Sequence, residues 1–274
     1  MTVLIELPGV LSSTAGLEKL IFTKNGFPAD GLQDLFLFTD ASGTALGNAI
    51  EGRPDGALEK LVEGDFGGGY AWLTGGGVRL QGTQIASFPG FDPTLPFSLV
   101  LGGAITGNVS GAVEAIIGLL AFRDRSTSAV RGPVMFARAF QSGGNQTVQA
   151  RMWTGTADGA TSDLQPRVTG LVNRHMISVL TYDGNATVTA SVYSKTGALL
   201  GTVTIAASDV GMTTNAGNVS PLAQPTIGIS TSVYDGGIQE AEVFARYDRV
   251  LNEEDITRIC VQAASVGTDR GRPW

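Results

Sequence analysis

The chain has 274 residues, of which 38 are glycine and 43% are apolar, and its formal net charge is −7. This composition indicates a folded, turn-rich chain and excludes a disordered one. Nucleic acids and anionic lipid surfaces are bound by clustered positive charge, so the acidic balance predicts no nucleic-acid partner. The longest apolar run, Ala115–Phe122, is too short for a membrane span, and we expect no membrane insertion.

Charged residues make up only 16% of the chain, well below the usual quarter. A surface so poor in charge is typical of proteins whose surface is partly covered by partner subunits. Glycine- and threonine-rich β proteins also stay soluble with few charges, so both interpretations stay open at this point. The single cysteine, Cys260, and the single histidine, His175, exclude an internal disulfide and the common zinc sites.

Residues 1–30 differ in pattern from the rest and are predicted to form an N-terminal arm. A β-like piece at Val3–Leu7 is followed by a break at Pro8 and by a short helical pattern starting near Ser12. Two turns of helix are not stable alone, so the arm must pack on the main domain or on a partner. The stretch Met1–Ser13 contains Glu6 and no basic residue, so no secretory signal is predicted.

From Asp34 onward, short apolar or alternating runs are separated by clusters of Gly, Asn, Asp and Pro, which predicts successive strands. The clearest are Leu35–Phe38, Phe97–Ile105, Glu114–Phe122, Pro133–Phe140, Gln146–Trp153, His175–Tyr182, Thr187–Tyr193, Leu199–Ile205, Thr226–Ile229 and Ile238–Ala245. Ten or more strands without intervening long helices predict an all-β fold, a two-sheet antiparallel β-sandwich or jelly roll.

Two turns connect three of these strands into a predicted meander. Asp183–Asn185 joins the first pair, and Lys195–Gly197 joins the second pair. The pattern changes after Asn252, where an N-cap residue precedes the acidic Glu253–Asp255 and apolar residues at helical spacing. A C-terminal helix is therefore predicted, followed by a tail over residues 265–274.

Three stretches resemble the laminin-G-like, concanavalin-A-like jelly roll of bacterial surface proteins and phage virions. Asp34–Glu59 resembles its opening strand and "D-x-S-G … N-x-G" turn, with Asp40, Ser42, Gly43, Asn48 and Gly56 in comparable places. Arg174–Gly201 resembles its "W-H-H-V-A-V-T-Y-D-G" hairpin, with matches at His175, Val179, Thr181, Tyr182, Asp183, Gly184, Val188 and Tyr193. Thr226–Ile256 resembles "I-G … F-D-G-x-I-D-E-V … Y-D-R-A-L-S-x-E-E-I".

The resemblance departs from the family pattern in the third stretch. Gln239 replaces the usual Asp, and extra residues separate Glu240 from Tyr247. The resemblance implies one concanavalin-A-like jelly-roll domain over residues 31–264. It does not imply one function, because this sandwich is found in lectins, adhesins, glycan hydrolases and structural modules.

Catalysis has few candidates in this chain. His175 is the only imidazole and begins a predicted core strand, which favours a structural role. Cys260, on the apolar side of the predicted helix, is interpreted as a small buried hydrophobe. Glu240 and Glu242, two residues apart on one strand, resemble the carboxylate pair of a retaining glycan hydrolase, but the central Asp of that family's pattern is absent. We therefore expect no catalytic residues and no enzyme.

Binding sites are predicted on loops that combine aromatic and polar side chains. Carbohydrate binding uses aromatic platforms beside amides and carboxylates, and the candidate residues are Tyr182, Asp183, Asn185, Tyr234, Asp235 and Trp153. No cofactor or metal is expected. Calcium is the one ion with candidate ligands, namely Asp158, Asp163, Asp183, Asn185 and Asp235, but no D-x-D-x-D-G loop is present.

The expected function follows from the resemblance and from the predicted absence of a signal. A module of this kind without a signal is expected in a bacteriophage virion, as a tail-fibre or appendage subunit that binds host surface glycans or assembles with other virion subunits. A homo-oligomer is expected, a trimer by analogy. The alternatives are a capsid decoration protein, a glycan hydrolase that uses Glu240 and Glu242, and a bacterial surface lectin.

Overall fold

The computed structural model describes residues 23–24, 26–39, 43–60, 69–81, 84–106, 115–124, 134–142, 145–153, 162–164, 166, 168, 174–206, 223–229, 238–272 and 274. Its elements in chain order are β1 (Thr23–Lys24), β2 (Phe27–Pro28), β3 (Leu32–Phe36), β4 (Ala45–Leu46), β5 (Gly56–Lys60), β6 (Tyr70–Trp72), β7 (Val78–Gln81), β8 (Gln84–Ser87), β9 (Phe97–Thr106), β10 (Ala115–Asp124), β11 (Val134–Ser142), β12 (Asn145–Trp153), β13 (Ser162–Asp163), β14 (His175–Tyr182), β15 (Thr187–Tyr193), β16 (Leu199–Ala206), β17 (Ala223–Ile229), β18 (Ile238–Tyr247) and α1 (Glu253–Asp269).

Two antiparallel sheets form a β-sandwich, which confirms the predicted fold class. One sheet has the order β16-β15-β14-β9-β18-β7-β6, with β3 also paired to β18, and we call it the helix-side sheet. The other has the order β13-β12-β11-β10-β17-β8-β5-β4 and is called the far sheet. A small hairpin of β1 and β2 stands apart from both sheets.

The interior of the sandwich is a cluster of buried apolar side chains. At its centre the rings of Phe88 and Phe244 are stacked with centroids 3.6 Å apart, and Phe36 lies 5.0 Å from Phe88. These three residues come from β3, β18 and the segment after β8, so the aromatic cluster connects the two sheets. Stacked and tilted aromatic pairs add to the stability that their buried area provides.

A second apolar layer lies between the helix-side sheet and α1. On β14 the side chains of Met176 and Leu180 face the first core, whereas Ile177 and Val179 face the helix. Both faces of this strand are therefore buried, which explains its almost continuous apolar sequence. Phe27 of β2 joins the same layer and places the end of the predicted N-terminal arm against α1.

The predicted C-terminal helix is confirmed, together with its cap. The side chain of Asn252 accepts a hydrogen bond from the amide of Asp255 at 2.9 Å, and three acidic residues occupy the first turn, where the helix dipole favours them. The helix continues to Asp269, into the predicted tail. Gly271 follows with a positive φ of 73°, a conformation that favours glycine at the end of a helix.

A β-bulge interrupts the pairing of β18 with β9. Ala241 is opposite Gly103 and Val243 is opposite Gly102, so Glu242 has no partner on β9. As a result Ala241 faces the first core and Val243 faces the helix. Gly103 has no side chain, which this close approach requires, because a Cβ there would overlap the carbonyl oxygen of Glu240.

Candidate functional site

Several of the described connecting loops lie at one end of the sandwich, which we call the loop end. Tyr182 at the end of β14 pairs with Phe97 at the start of β9, and Tyr247 at the end of β18 pairs with Ser98. The residues that connect strands there are 29–31, 47–55, 88–96, 183–186 and 248–252. This end therefore carries most of the described connecting loops of the helix-side sheet.

A buried carboxylate, that of Asp34, organises the loop end. Its oxygens lie 2.5 Å from Nε of Arg246 and 3.5 Å from Nε of Arg53, and the residue is only 1% exposed. The guanidinium of Arg246 also lies 4.7 Å from the ring centroid of Phe91. Opposite charges and the aromatic face compensate for burying the arginine.

Asn48 fixes the shape of loop 47–55. Its side-chain oxygen accepts hydrogen bonds from the amides of Leu35 and Ile50, at 3.2 and 3.1 Å. Its side-chain nitrogen donates to Asp34 and to the carbonyl of Pro54, at 2.9 and 3.1 Å. The side-chain oxygen and nitrogen of Asn48 thus make all their hydrogen bonds within the protein. The Asn of the family-like "N-x-G" turn therefore has a structural role here.

An open groove of about 300 Å³ lies beside this loop. Its lining residues are Pro54, Asp55, Gly56, Ala57, Ser87, Phe88, Pro89 and Gly90. Asp55 is exposed, and its Oδ1 accepts the amide hydrogen of Asn48 at 3.0 Å, which holds the carboxylate at the groove. Gly56 permits the close contact of β5 with β8 that forms the groove, because a Cβ there would lie 2.7 Å from the carbonyl oxygen of Ser87.

The predicted glycan residues on the β14–β15 turn also lie at the loop end, but the side chains of Tyr182 and Asp183 pack or hydrogen-bond within the protein. Tyr182 is 3% exposed and its ring lies 5.9 Å from that of Phe97, so it presents no open face to a sugar. Asp183 accepts hydrogen bonds from the amides of Asn185, Ala186 and Thr187, between 2.8 and 3.0 Å. These hydrogen bonds hold the pKa of Asp183 well below its usual range. Of the three predicted glycan residues here, only Asn185 has an exposed side chain that does not stabilise the turn.

The side chains of the other predicted glycan residues are outside the part of the chain that the structure describes. Tyr234 and Asp235 lie outside the described residues, as does the calcium candidate Asp158. Trp153 ends β12 and Asp163 ends β13, and for both the description is limited to the backbone. Among the described residues, no group of three or more His, Cys, Asp or Glu side chains is arranged to hold a metal ion.

The candidate catalytic pair, Glu240 and Glu242, lies at the opposite end of β18 and is enclosed. Both nitrogens Nε and Nη2 of Arg79 bind Oε1 of Glu240, at 3.0 and 2.5 Å. Glu242 is 0% exposed, and its Oε1 lies 2.8 Å from Nε2 of His175. A polysaccharide has no access to a fully buried carboxylate, so this geometry disfavours the glycan-hydrolase alternative.

The cover over Glu242 is the segment of Arg270, Gly271, Arg272 and Trp274, which we call the Trp274 strap. The Trp274 ring lies 4.9 Å from the His175 ring, and its Nε1 lies 3.4 Å from Oε2 of Glu242. Arg270 donates to the carbonyls of Leu37 and Glu242. Arg272 donates to the carbonyls of Thr74 and Gly76, at 3.1 and 2.9 Å, and so attaches the strap to the β6–β7 turn.

His175 and Cys260 are both buried. Cys260 is fully buried between α1 and the helix-side sheet, and burial raises the pKa of its thiol to about 12. Within the described residues no helix is long and apolar enough to cross a membrane.

No protein family model and no curated protein sequence matches the chain. Several solved structures resemble it in fold. The Trypanosoma rangeli sialidase in complex with sialic acid is 16% identical, with a TM-score of 0.53, and the match covers 87% of this chain and 34% of that one. The binding domain of botulinum neurotoxin DC in complex with rat synaptotagmin II is 10% identical, with a TM-score of 0.55, over 88% of this chain and 52% of that one.

A third similar structure comes from work on botulinum neurotoxin type C, whose cell entry depends on interaction with two ganglioside molecules. It is 10% identical, with a TM-score of 0.52, over 85% of this chain and 51% of that one. The chain thus spans about a third of the sialidase and about half of the toxin domains. At these identities the likeness shows the fold alone, a two-sheet β-sandwich.

Proposed function

We propose that the chain is a non-catalytic glycan-binding module that uses the groove at the loop end. The observation that carries this proposal is the lining of the groove, where the exposed carboxylate of Asp55 lies among apolar surfaces of Pro54 and Pro89. A sugar ring presents hydroxyl groups at its edge and C–H groups on its faces. Carboxylate oxygens bind the first, and proline rings pack against the second.

The groove is favoured over the residues predicted from the sequence because its carboxylate is accessible. Asp55 is exposed and uses one oxygen in the loop, whereas Asp183 accepts four hydrogen bonds within its own turn. The enclosed position of Glu242 supports the non-catalytic part of the proposal.

A glycan array tests the proposal with three variants. Asp55→Ala removes the carboxylate, and Ala57→Gln fills the groove from β5 while leaving Asp55 in place. Both should lose binding by about tenfold or more, the effect expected for a hydrogen bond to a charged group. Glu51→Ala removes an exposed carboxylate of the same loop outside the groove lining, and should bind like the wild type. A wild type that binds no glycan, or groove variants that bind normally, would overturn the proposal.

The narrower form of the proposal places the module on a bacteriophage particle, as a homo-oligomeric tail-fibre or appendage subunit. It is supported by the low share of charged residues, 16%, and by the resemblance of three stretches to jelly rolls found in virions. Capsid decoration is the alternative location. Mass spectrometry of purified particles, followed by antibody labelling in electron microscopy, tests both: label on the tail supports the proposal, label on the capsid supports decoration, and absence from the particles overturns both.

A further inference from the structure

The described residues of the loop end carry a strong excess of negative charge. The exposed acidic residues among them are Asp30, Glu51, Asp55, Asp92, Asp183, Asp248, Glu253 and Glu254. Two of these are paired, Asp30 with Arg249 at 3.0 Å and Glu254 with Arg258 at 2.5 Å. Hydrogen bonds from Thr94 lower the pKa of Asp92, and those within the turn lower the pKa of Asp183, so both are ionised at neutral pH. Charges of one sign on a surface repel a ligand of the same sign before it makes contact.

The described arginines of this end are each engaged with acidic residues. Arg53 donates to the carbonyl and the side-chain oxygen of Gln33, at 2.8 and 2.7 Å, and lies 3.5 Å from Asp34. Arg246 is buried against Asp34. Arg249 lies 3.0 Å from Asp30 and 2.8 Å from Asp255. A ligand carboxylate would have to displace one of these acids in order to find a cation.

Among the described residues that line the groove, Asp55 is the one that carries a charge. Proteins that bind carboxylate-bearing ligands present arginine or backbone N–H groups to them, and an unpaired carboxylate in the site acts against such ligands. A neutral sugar has no such conflict, because its hydroxyl groups donate to Asp55. A sugar with a protonated amine gains a charge-assisted hydrogen bond at the same oxygen.

We propose that the groove selects neutral and amino-bearing sugars and rejects sugars that carry a carboxylate or a sulfate. The inference rests on the proposed glycan-binding function and specifies its ligand class.

Matched glycan pairs test the charge preference on the full chain. Lactose-terminated glycans are compared with the same glycans capped by sialic acid, and N-acetylglucosamine oligomers with their de-acetylated, amine-bearing forms, at low and at high salt. The wild type should bind the uncapped glycan at least about tenfold more tightly than the sialylated one, and the amine-bearing form at least as tightly as the acetylated form. High salt should reduce the difference in affinity within each glycan pair, because it screens the charge of Asp55 and its neighbours.

The variant Asp55→Asn removes the charge and keeps an acceptor of the same shape. It should bind neutral glycans within about threefold of the wild type and bind sialylated glycans more tightly than the wild type does, whereas Glu51→Gln should change neither by more than about twofold. Equal or tighter binding of sialylated glycans by the wild type would overturn the inference and leave the glycan-binding function standing. A discrimination in Asp55→Asn that is as large as in the wild type at high salt, where the other acidic residues are screened, would also overturn it, and binding of no glycan at all would overturn both.

Discussion

The imidazole of His175 and the carboxylate of Glu242 lie 2.8 Å apart inside the protein, with side chains only 3% and 0% exposed. They come from β14 and β18, which are not neighbours, since β9 lies between them in the sheet. The bulge in β18 brings Glu242 to the helix-facing side, where His175 and the Trp274 strap meet it. The pair therefore joins three parts of the chain that are distant in sequence.

Removing the carboxylate of Glu242 should be strongly destabilising. Glu242→Ala leaves Nε2 of His175 and the indole N–H of Trp274 without their partner, and removes the carboxylate that lies 3.5 Å from Nε of Arg272. The loss of one partner of a buried pair costs about 3 to 5 kcal/mol. Glu240→Ala is the matched control on the same strand. Its partner Arg79 is 45% exposed, so less than about 1 kcal/mol is expected. Urea unfolding followed by circular dichroism measures both, and equal losses would contradict the structural role of Glu242.

Replacing Gln239 should stabilise the protein. This residue is 1% exposed, and neither its Oε1 nor its Nε2 has a hydrogen-bond partner among the residues that the structure describes. A buried amide without partners costs free energy, so Gln239→Met, which keeps the length of the side chain, should raise the free energy of unfolding by about 1 to 2 kcal/mol.

Gln33→Met provides the contrast for Gln239. The amide of Gln33 binds Asp248 and Arg53, each at 2.7 Å, so its loss should lower stability by about 1 kcal/mol or less. Thermal denaturation of the two variants beside the wild type distinguishes the cases. A fall in stability for Gln239→Met would mean that the amide has a stabilising partner.

Because of the hydrogen bonds to Asp183, the free energy of unfolding should depend on pH in the acidic range. The folded state lowers the pKa of this carboxyl below its unfolded value of about 4. The Asp183 carboxylate therefore stabilises the folded state fully above about pH 4. This stabilisation is lost as the pH falls from that value towards the pKa of the folded state. Asp183→Ala should be less stable than wild type by about 1 kcal/mol at neutral pH, and the difference should shrink in acid. A difference that stays constant well below the unfolded pKa would contradict this.

The thiol of Cys260 should be unreactive as long as the protein is folded. It is fully buried, and its raised pKa, about 12, leaves almost no thiolate near neutral pH. The native protein should react with a thiol reagent only at the rate of its opening, whereas denatured protein reacts at once. The double variant Cys260→Ser, Val261→Cys moves the thiol to the neighbouring position, which is 55% exposed, and should react rapidly in the native state. Rapid reaction of native wild type would contradict the burial.

The long strands can be predicted from the sequence because their patterns are local. The bounds of β14 and β15 match the prediction, at His175–Tyr182 and Thr187–Tyr193. The short strands β4 to β8 are not predicted. Segments such as Tyr70–Trp72 are too short to show alternation, and they become strands only by pairing with a neighbour, in this case β7.

The candidate site is harder to predict than the fold. Asp55 stands among turn residues, and its importance comes from the approach of β5 to β8, which no local pattern encodes. The Trp274 strap likewise lies in the predicted tail over residues 265–274, and its contacts could not be predicted because two arginines and a tryptophan after a helix have no periodicity. Their partners, such as Glu242 and Gly76, lie far away in the sequence.

The position of β18 has a consequence for how the protein is made. This strand is hydrogen-bonded to β3, β7 and β9, and its side chains reach partners up to 212 residues earlier in the chain, as Arg246 does with Asp34. The helix-side sheet cannot close on the ribosome until β18 has emerged. We therefore expect assembly to be late and slow, with the apolar faces of the earlier strands exposed to chaperones during synthesis.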